Sequence, residues 1–171
     1  KKHGIKKGLT YKNKAYCLDG KEISVDVNRF EKLLNHSTNA RDPVEYLKKA
    51  ILLYRGVFLE GFQNIWVIEE KNRLEWLYLS ALERLAKLYL EGKEYQYAHK
   101  CLHKILKTNP ISENAHEMLI HIYEETGNRT AIITQYNAYY KIIKNELGIE
   151  PKRELKNLYN KYRKEKSEEQ Y

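Results

Sequence analysis

Histidines are the residues best suited to chemistry in this chain of 171 residues, and their spacing decides what they can do. His116-Glu117-Met118-Leu119-Ile120-His121 has the composition of a helical zinc-hydrolase motif, with one residue too many between the histidines. Histidines five apart on a helix point about 140° apart, so they cannot share one tetrahedral zinc. His99 and His103 stand at i,i+4 and can share a helix face, but Cys101 points elsewhere and no third ligand is evident. They read as exposed histidines on the outer face of a helix. Gly4 and Gly8 form neither a G-x-G-x-x-G nor a Walker pattern. No serine sits in a nucleophile elbow. Glu69, Glu70, Glu75 and Glu83 run along one helix with Lys71, Arg73 and Arg84 at pairing distance, which describes a solvated face. No catalytic residue, metal ligand or cofactor site is assigned, and the chain reads as a non-enzyme.

What remains is charge. Lys and Arg number 31 against 23 Asp and Glu, a formal net charge of +8. Six lysines fall within residues 1–14, with no acid among them. Lys6, Lys7, Lys12 and Lys14 are candidates for contact with a nucleic-acid backbone, because neutralised phosphates release counterions. The bland alternative is a solvated tail.

The elements that would position such groups are mostly helical. Gly is scarce at 8 and Pro at 3, while Leu, Lys, Glu and Tyr abound. No run reaches the ~18 apolar residues of a membrane span. Residues 1–20 lack the apolar stretch of a secretory signal. Cys17 and Cys101 are too few for a disulfide scaffold, so reduced thiols in a cytoplasmic protein are expected. The sequence begins at Lys1 and reads as a piece of something longer. Leu9-Thr10-Tyr11, Ala15–Leu18 and Ile23–Val27 are β-prone, and Asp19-Gly20 is a hairpin signal.

Helical periodicity takes over from Asn28. Phe30, Leu33 and Leu34 mark a short helix, and His36–Ala40 reads as a polar loop. Asp42-Pro43 caps a helix over Val44–Tyr54, with Leu47, Ile51 and Tyr54 on one face. Gly56 and Gly61 bracket an apolar break. A long helix follows from about Ile65 to Leu90, its stripe including Leu74, Ala81, Leu82, Leu85, Ala86 and Tyr89, and Gly92 ends it. Trp66, beside Phe58, Leu59 and Phe62, is expected to pack the break onto that helix. The alternative is an exposed anchor for a partner helix. Further helices are expected over Tyr95–Lys107, after an Asn109-Pro110 cap, over Thr130–Leu147, and from Pro151.

The helices repeat. A shift of 34 residues places Ala81 on Ala115, Glu83 on Glu117, Leu85 on Leu119 and Tyr89 on Tyr123. That interval belongs to tetratricopeptide helix-turn-helix units. Ala86 and Ala98 are small where paired helices cross, and Pro110 closes the first unit. Ile120 and Ile132 stand at the corresponding small positions of the second, which should splay it and suits a terminal repeat. The expected fold is all-α: antiparallel helix hairpins of tetratricopeptide type in a right-handed superhelix, preceded by a short N-terminal β-hairpin. The first helix of each pair lines the concave side of such arrays. Here that face carries Ser80, Glu83, Lys87, Leu90, Asn114, Glu117, His121 and Glu124, and its mild acidity suits a basic or amphipathic helix. The C-terminal helix Pro151–Lys164 is an equal candidate to occupy it.

Several separate motifs also occur in one order. They are Tyr54–Phe62 with Trp66, Glu69 and Arg73; Ala81–Ala86; Asn109–His116; Glu146–Pro151; and Ser24–Phe30. Together, over about residues 24–163, they resemble the bacterial transcriptional activator domain of Streptomyces antibiotic regulatory proteins and related response regulators. The resemblance implies a tetratricopeptide-like bundle over 26–165, a tail at 166–171, and residues 1–25 as the last β-ribbon and linker of an OmpR-type winged helix. The recognition helix of that module would lie before Lys1. It further implies a regulatory and oligomerisation role through protein contacts: self-association, RNA polymerase or another regulatory domain. Promoter DNA would be read by a domain missing from this chain, with no membrane involved. The rivals are a stand-alone peptide-binding scaffold without a transcription role, and a small-molecule sensor.

Overall fold

A computed structural model of the chain describes residues 9–12, 14–18 and 25–168. Leu9–Lys12 (β1) pairs antiparallel with Ala15–Leu18 (β2), Leu9 opposite Leu18. Seven helices follow among the described residues: Asp26–Asn39 (α1), Pro43–Leu53 (α2), Ile65–Glu91 (α3), Tyr95–Thr108 (α4), Glu113–Glu125 (α5), Arg129–Leu147 (α6) and Arg153–Glu168 (α7). The body of the chain is all-α and built of helix hairpins. It divides into two compact units, residues 1–81 and 82–171, with α3 contributing to both. No helix among the described residues is long and apolar enough to cross a membrane.

In the first unit α1 packs on α2. Its core is Phe30, Ala50 and Leu74, against which Leu34, Tyr54 and Phe58 pack. The Asp42-Pro43 signal is realised: the Asp42 carboxylate accepts the Val44 N–H at 3.1 Å, with Pro43 in the first turn. The Asp19-Gly20 turn lies outside the described residues. Asp26 and Val27, expected at the end of a β-prone run, instead open α1: Val27 packs onto the Phe30 cluster, a place it reaches from a helix.

Two further expectations fail here. His36–Asn39 is helix rather than loop. Its polar side chains turn back on the helix, the Ser37 and Thr38 hydroxyls donating to the Leu34 carbonyl at 2.6 and 3.3 Å and the His36 ring to that of Lys32. Trp66 does not pack the apolar break; it is 59% exposed. Val67 takes the inward position at 1% exposure, in line with Leu74 seven residues on, and Trp66 stands about 100° round the helix from it.

The second unit contains the repeated hairpins. α4 buries Ala98, Cys101, Leu102 and Ile105, and α5 buries Ala115, Leu119 and Ile122. Ala86 and Ala98 are both fully buried, as close helix crossings require. α5 packs on α6 and α6 on α7. Ile120, Ile132, Tyr136, Tyr139 and Ile143 form a cluster closed by Leu155 of α7, and Tyr159 stacks on Tyr136 at 4.3 Å.

Helix ends differ in detail from the sequence reading. At the end of α3 the left-handed residue is Lys93 (φ 56°), not Gly92. Asn109 ends α4, and Ser112 is the residue that precedes α5. Pro151 is buried before α7 rather than starting it, and the helix's first bond runs from the Lys156 N–H to the Lys152 carbonyl. Gly148 closes α6 at φ 68°, its N–H donating to the Lys144 carbonyl. An L-residue there enters the left-handed region, so Gly148→Ala is expected to cost about 1–2 kcal/mol in chemical denaturation. An unchanged midpoint would show that this turn is not closed in left-handed geometry.

Candidate functional site

The proposed concave-face residues fall mainly on α5 and on the part of α3 in the second unit. Glu83 joins α3 and α5 into one patch: it pairs with Lys87 at 2.8 Å and accepts from the Asn114 amide at 3.3 Å. Leu90 is half-buried and His121 exposed on the same two helices. Ser80 lies in the first unit's part of α3 and is not grouped with them.

Glu117 and Glu124 are already answered within the chain. α5 carries Glu113, Glu117, Glu124 and Glu125 and no Lys or Arg, whereas α7 is rich in both. Lys152, just before α7, reaches Glu113 and Glu117, each at 3.2 Å. The Tyr162 hydroxyl donates to Glu124 at 3.0 Å, and Lys161 stands 3.9 Å from it. Both carboxylates hold the Lys152 ammonium above its ordinary range. These exposed pairs contribute little stability singly. Their effect is orientation: they fix α7 along the acidic row, while Leu155, Leu158 and Tyr159 supply the apolar contact. Sequence reasoning named α7 as an occupant, with Tyr162 on its face, but not the contacts that Lys152 and Tyr162 make with the carboxylates of α5. The usable signal was an acidic helix without cations beside a basic one.

Beneath this row lies a buried polar group that spacing alone did not announce. His116 is 3% exposed. Its Nε2–H donates to the Pro110 carbonyl at 2.9 Å, and its Nδ1 accepts from the Gln135 amide at 2.6 Å. That arrangement requires the neutral ring, and burial lowers the His116 pKa. The ring also lies 4.6 Å from that of Tyr139, whose hydroxyl burial and Glu113 push up to about 12. His116 thus ties α5, α6 and the turn before α5 together. His121, five residues on, is exposed, so the two histidines do not converge.

His99 and His103 do converge, with Nε2 atoms 3.2 Å apart, and the Tyr123 hydroxyl lies 3.0 Å from His99 Nε2. His103 is exposed as expected, but His99 is half-buried. Burial, then the neighbouring His103, lower the His99 pKa. Among the described residues no group of three or more His, Cys, Asp or Glu is placed to hold a metal ion. Cys101 is buried, and that burial raises its thiol pKa and disfavours the thiolate.

Of the candidate backbone-contacting lysines, Lys6 and Lys7 lie outside the described residues. Lys12 ends β1, and Lys14 is exposed at the turn between the strands with φ 62°.

No curated protein matches the chain. The family model of the bacterial transcriptional activator domain matches residues 25–163, which span α1 through most of α7. With nearly the whole helical body matched in order, the chain belongs to the bacterial transcriptional activator domain family.

Proposed function

We propose that this domain is the regulatory and oligomerisation part of a bacterial DNA-binding activator and works through protein–protein contact. The observation that carries the reading is the division of the α3–α5 polar face. Its distal half, Glu113, Glu117 and Glu124, is taken up by α7 and Lys152. Its proximal half, Glu83, Lys87, Leu90, Asn114 and His121, offers a similar mixture of carboxylate, amide and apolar contact, with Lys87 and His121 exposed and Glu83 paired only with Lys87 and Asn114 among the described residues. A basic or amphipathic helix would use there the chemistry that α7 uses beside it. A second copy of the chain is the first such partner; polymerase and other regulatory domains are of the same class. Promoter reading would belong to a separate winged-helix module, to which the N-terminal lysines add only backbone contact.

Light scattering at rising concentration tests this. The wild-type chain is expected to grow towards dimer mass, and Glu83→Lys with His121→Glu to remain monomeric at unchanged helicity. A wild-type chain that stays monomeric at every concentration removes self-association as the role of this face. In gel-shift titrations the chain alone should bind DNA weakly, without sequence preference, and release it as salt rises. Promoter-selective binding would contradict the assignment of sequence reading to another module.

A further inference from the structure

We propose that the groove between α1 and α2 is a docking site for an acidic amphipathic helix of a protein partner. The inference rests on the reading that the domain acts through protein contacts. It adds a second surface, in the first unit, whose charge is opposite to that of the α5 row.

The groove encloses about 630 Å³. Leu33, Tyr46, Leu52 and Leu53 supply its apolar lining. Leu52 is 73% exposed, an apolar side chain left to water on the lip. The His36 and Tyr46 rings stack at 6.0 Å and 12° and make a flat wall from one helix to the other. His36 is held there by its hydrogen bond to the Lys32 carbonyl.

The rim is cationic for a reason legible in the helix geometry. Arg29, Lys32, Leu33 and His36 stand at i, i+3, i+4 and i+7, a single face of α1, and Lys49 comes from α2. Of the acids of these two helices only Glu45 reaches the rim, where it answers Lys49; the others are used elsewhere. Glu31 is on the opposite face of α1, paired with Arg73 at 2.5 Å. The Asp26 carboxylate accepts the Val27 N–H, and Asp42 caps α2. Glu45 pairs with Lys49 at 2.6 Å. Arg29 and Lys32 meet no carboxylate among the described residues. An apolar floor with unanswered positive charge along one wall selects a ligand with leucine-like anchors on one side and carboxylates flanking them. The eleven residues of α2 span roughly 16 Å, about three helical turns, which matches anchors at i, i+4 and i+7 of a partner helix.

The test is a fluorescence-anisotropy titration of the full chain with a labelled synthetic helix carrying leucines at i, i+4 and i+7 and glutamates elsewhere. Saturable binding is expected, weakened about tenfold or more by Arg29→Glu with Lys32→Glu, and likewise by Leu52→Glu. Arg29→Lys should retain it. The same peptide with lysines replacing the glutamates should bind at least about tenfold more weakly. All three positions are exposed, and circular dichroism of each variant confirms the fold. Equal affinity in the charge-reversed chain overturns the proposal. So does binding of phosphatidylglycerol vesicles without binding of the peptide. The readout is separate from self-association: Glu83→Lys should leave peptide affinity unchanged, and loss of peptide binding with dimerisation intact sinks the groove alone.

Discussion

Leu102→Ala is expected to destabilise the second unit by about 2–5 kcal/mol, measured as a fall in the urea midpoint of the full chain followed by circular dichroism. Leu102 is fully buried on the inner face of α4. Truncation removes its transfer energy and leaves a void, and the size of the loss depends on whether neighbours can fill that void. Ala98, one turn earlier, is also fully buried and has no side chain to lend, so the upper part of the range is expected. Leu52→Ala is the matched control. At 73% exposure it deletes the same atoms from the surface and should shift the midpoint by less than about 0.5 kcal/mol. If the two variants unfold alike, the inward face of α4 has been misassigned.

The second large effect is a loss of stability on mild acidification. In the unfolded chain His116 takes up its proton near pH ~6.5. In the folded chain burial lowers its pKa, because the charged ring would sit without water and its Nδ1 already accepts from Gln135. Between the folded and the unfolded pKa the unfolded state binds more protons, so stability rises with pH there. Its contribution is therefore complete above pH ~6.5 and declines as pH falls below that value, by at most ~1.4 kcal/mol per pH unit, until the folded pKa is passed. His99, shifted in the same direction, adds to the slope with the same sign. His116→Phe should flatten the dependence to what His99 leaves. It should also cost about 1–3 kcal/mol at neutral pH, since Gln135 and the Pro110 carbonyl lose their partner. Urea titrations of both proteins across mildly acidic pH decide it. A variant with the wild-type slope would show that His116 is not the titrating group.

The groove and the proximal polar face lie in different units and differ in charge: the groove rim is cationic, whereas Glu83 and Lys87 answer each other on the polar face. The two proposals together give the domain an amphipathic-helix site on one face and an acidic-helix site on the other. Affinity for each would depend on salt, because the contacts are surface pairs screened by ions.

Read alone, the residues determined most of what is local. Helix periodicity placed the stripe of α3 and the inward face of α4, and the 34-residue interval marked the hairpins. Asp42-Pro43 and Gly148 marked real helix ends, because a cap or a left-handed stop is settled within a few residues of itself. Ordered motifs identified the family. What escaped was some detail within single helices and whatever depends on a distant neighbour. His36–Asn39 looks polar enough for a loop until its side chains are seen donating back to the helix. Trp66 belonged inside by size, but Val67 holds the inward angle. Lys152 meets Glu117 across 35 residues of chain and Tyr162 meets Glu124 across 38. No spacing rule reaches so far: side-chain type and period fix which face of a helix is apolar, whereas the partner of each charge is chosen only when packing brings two helices together.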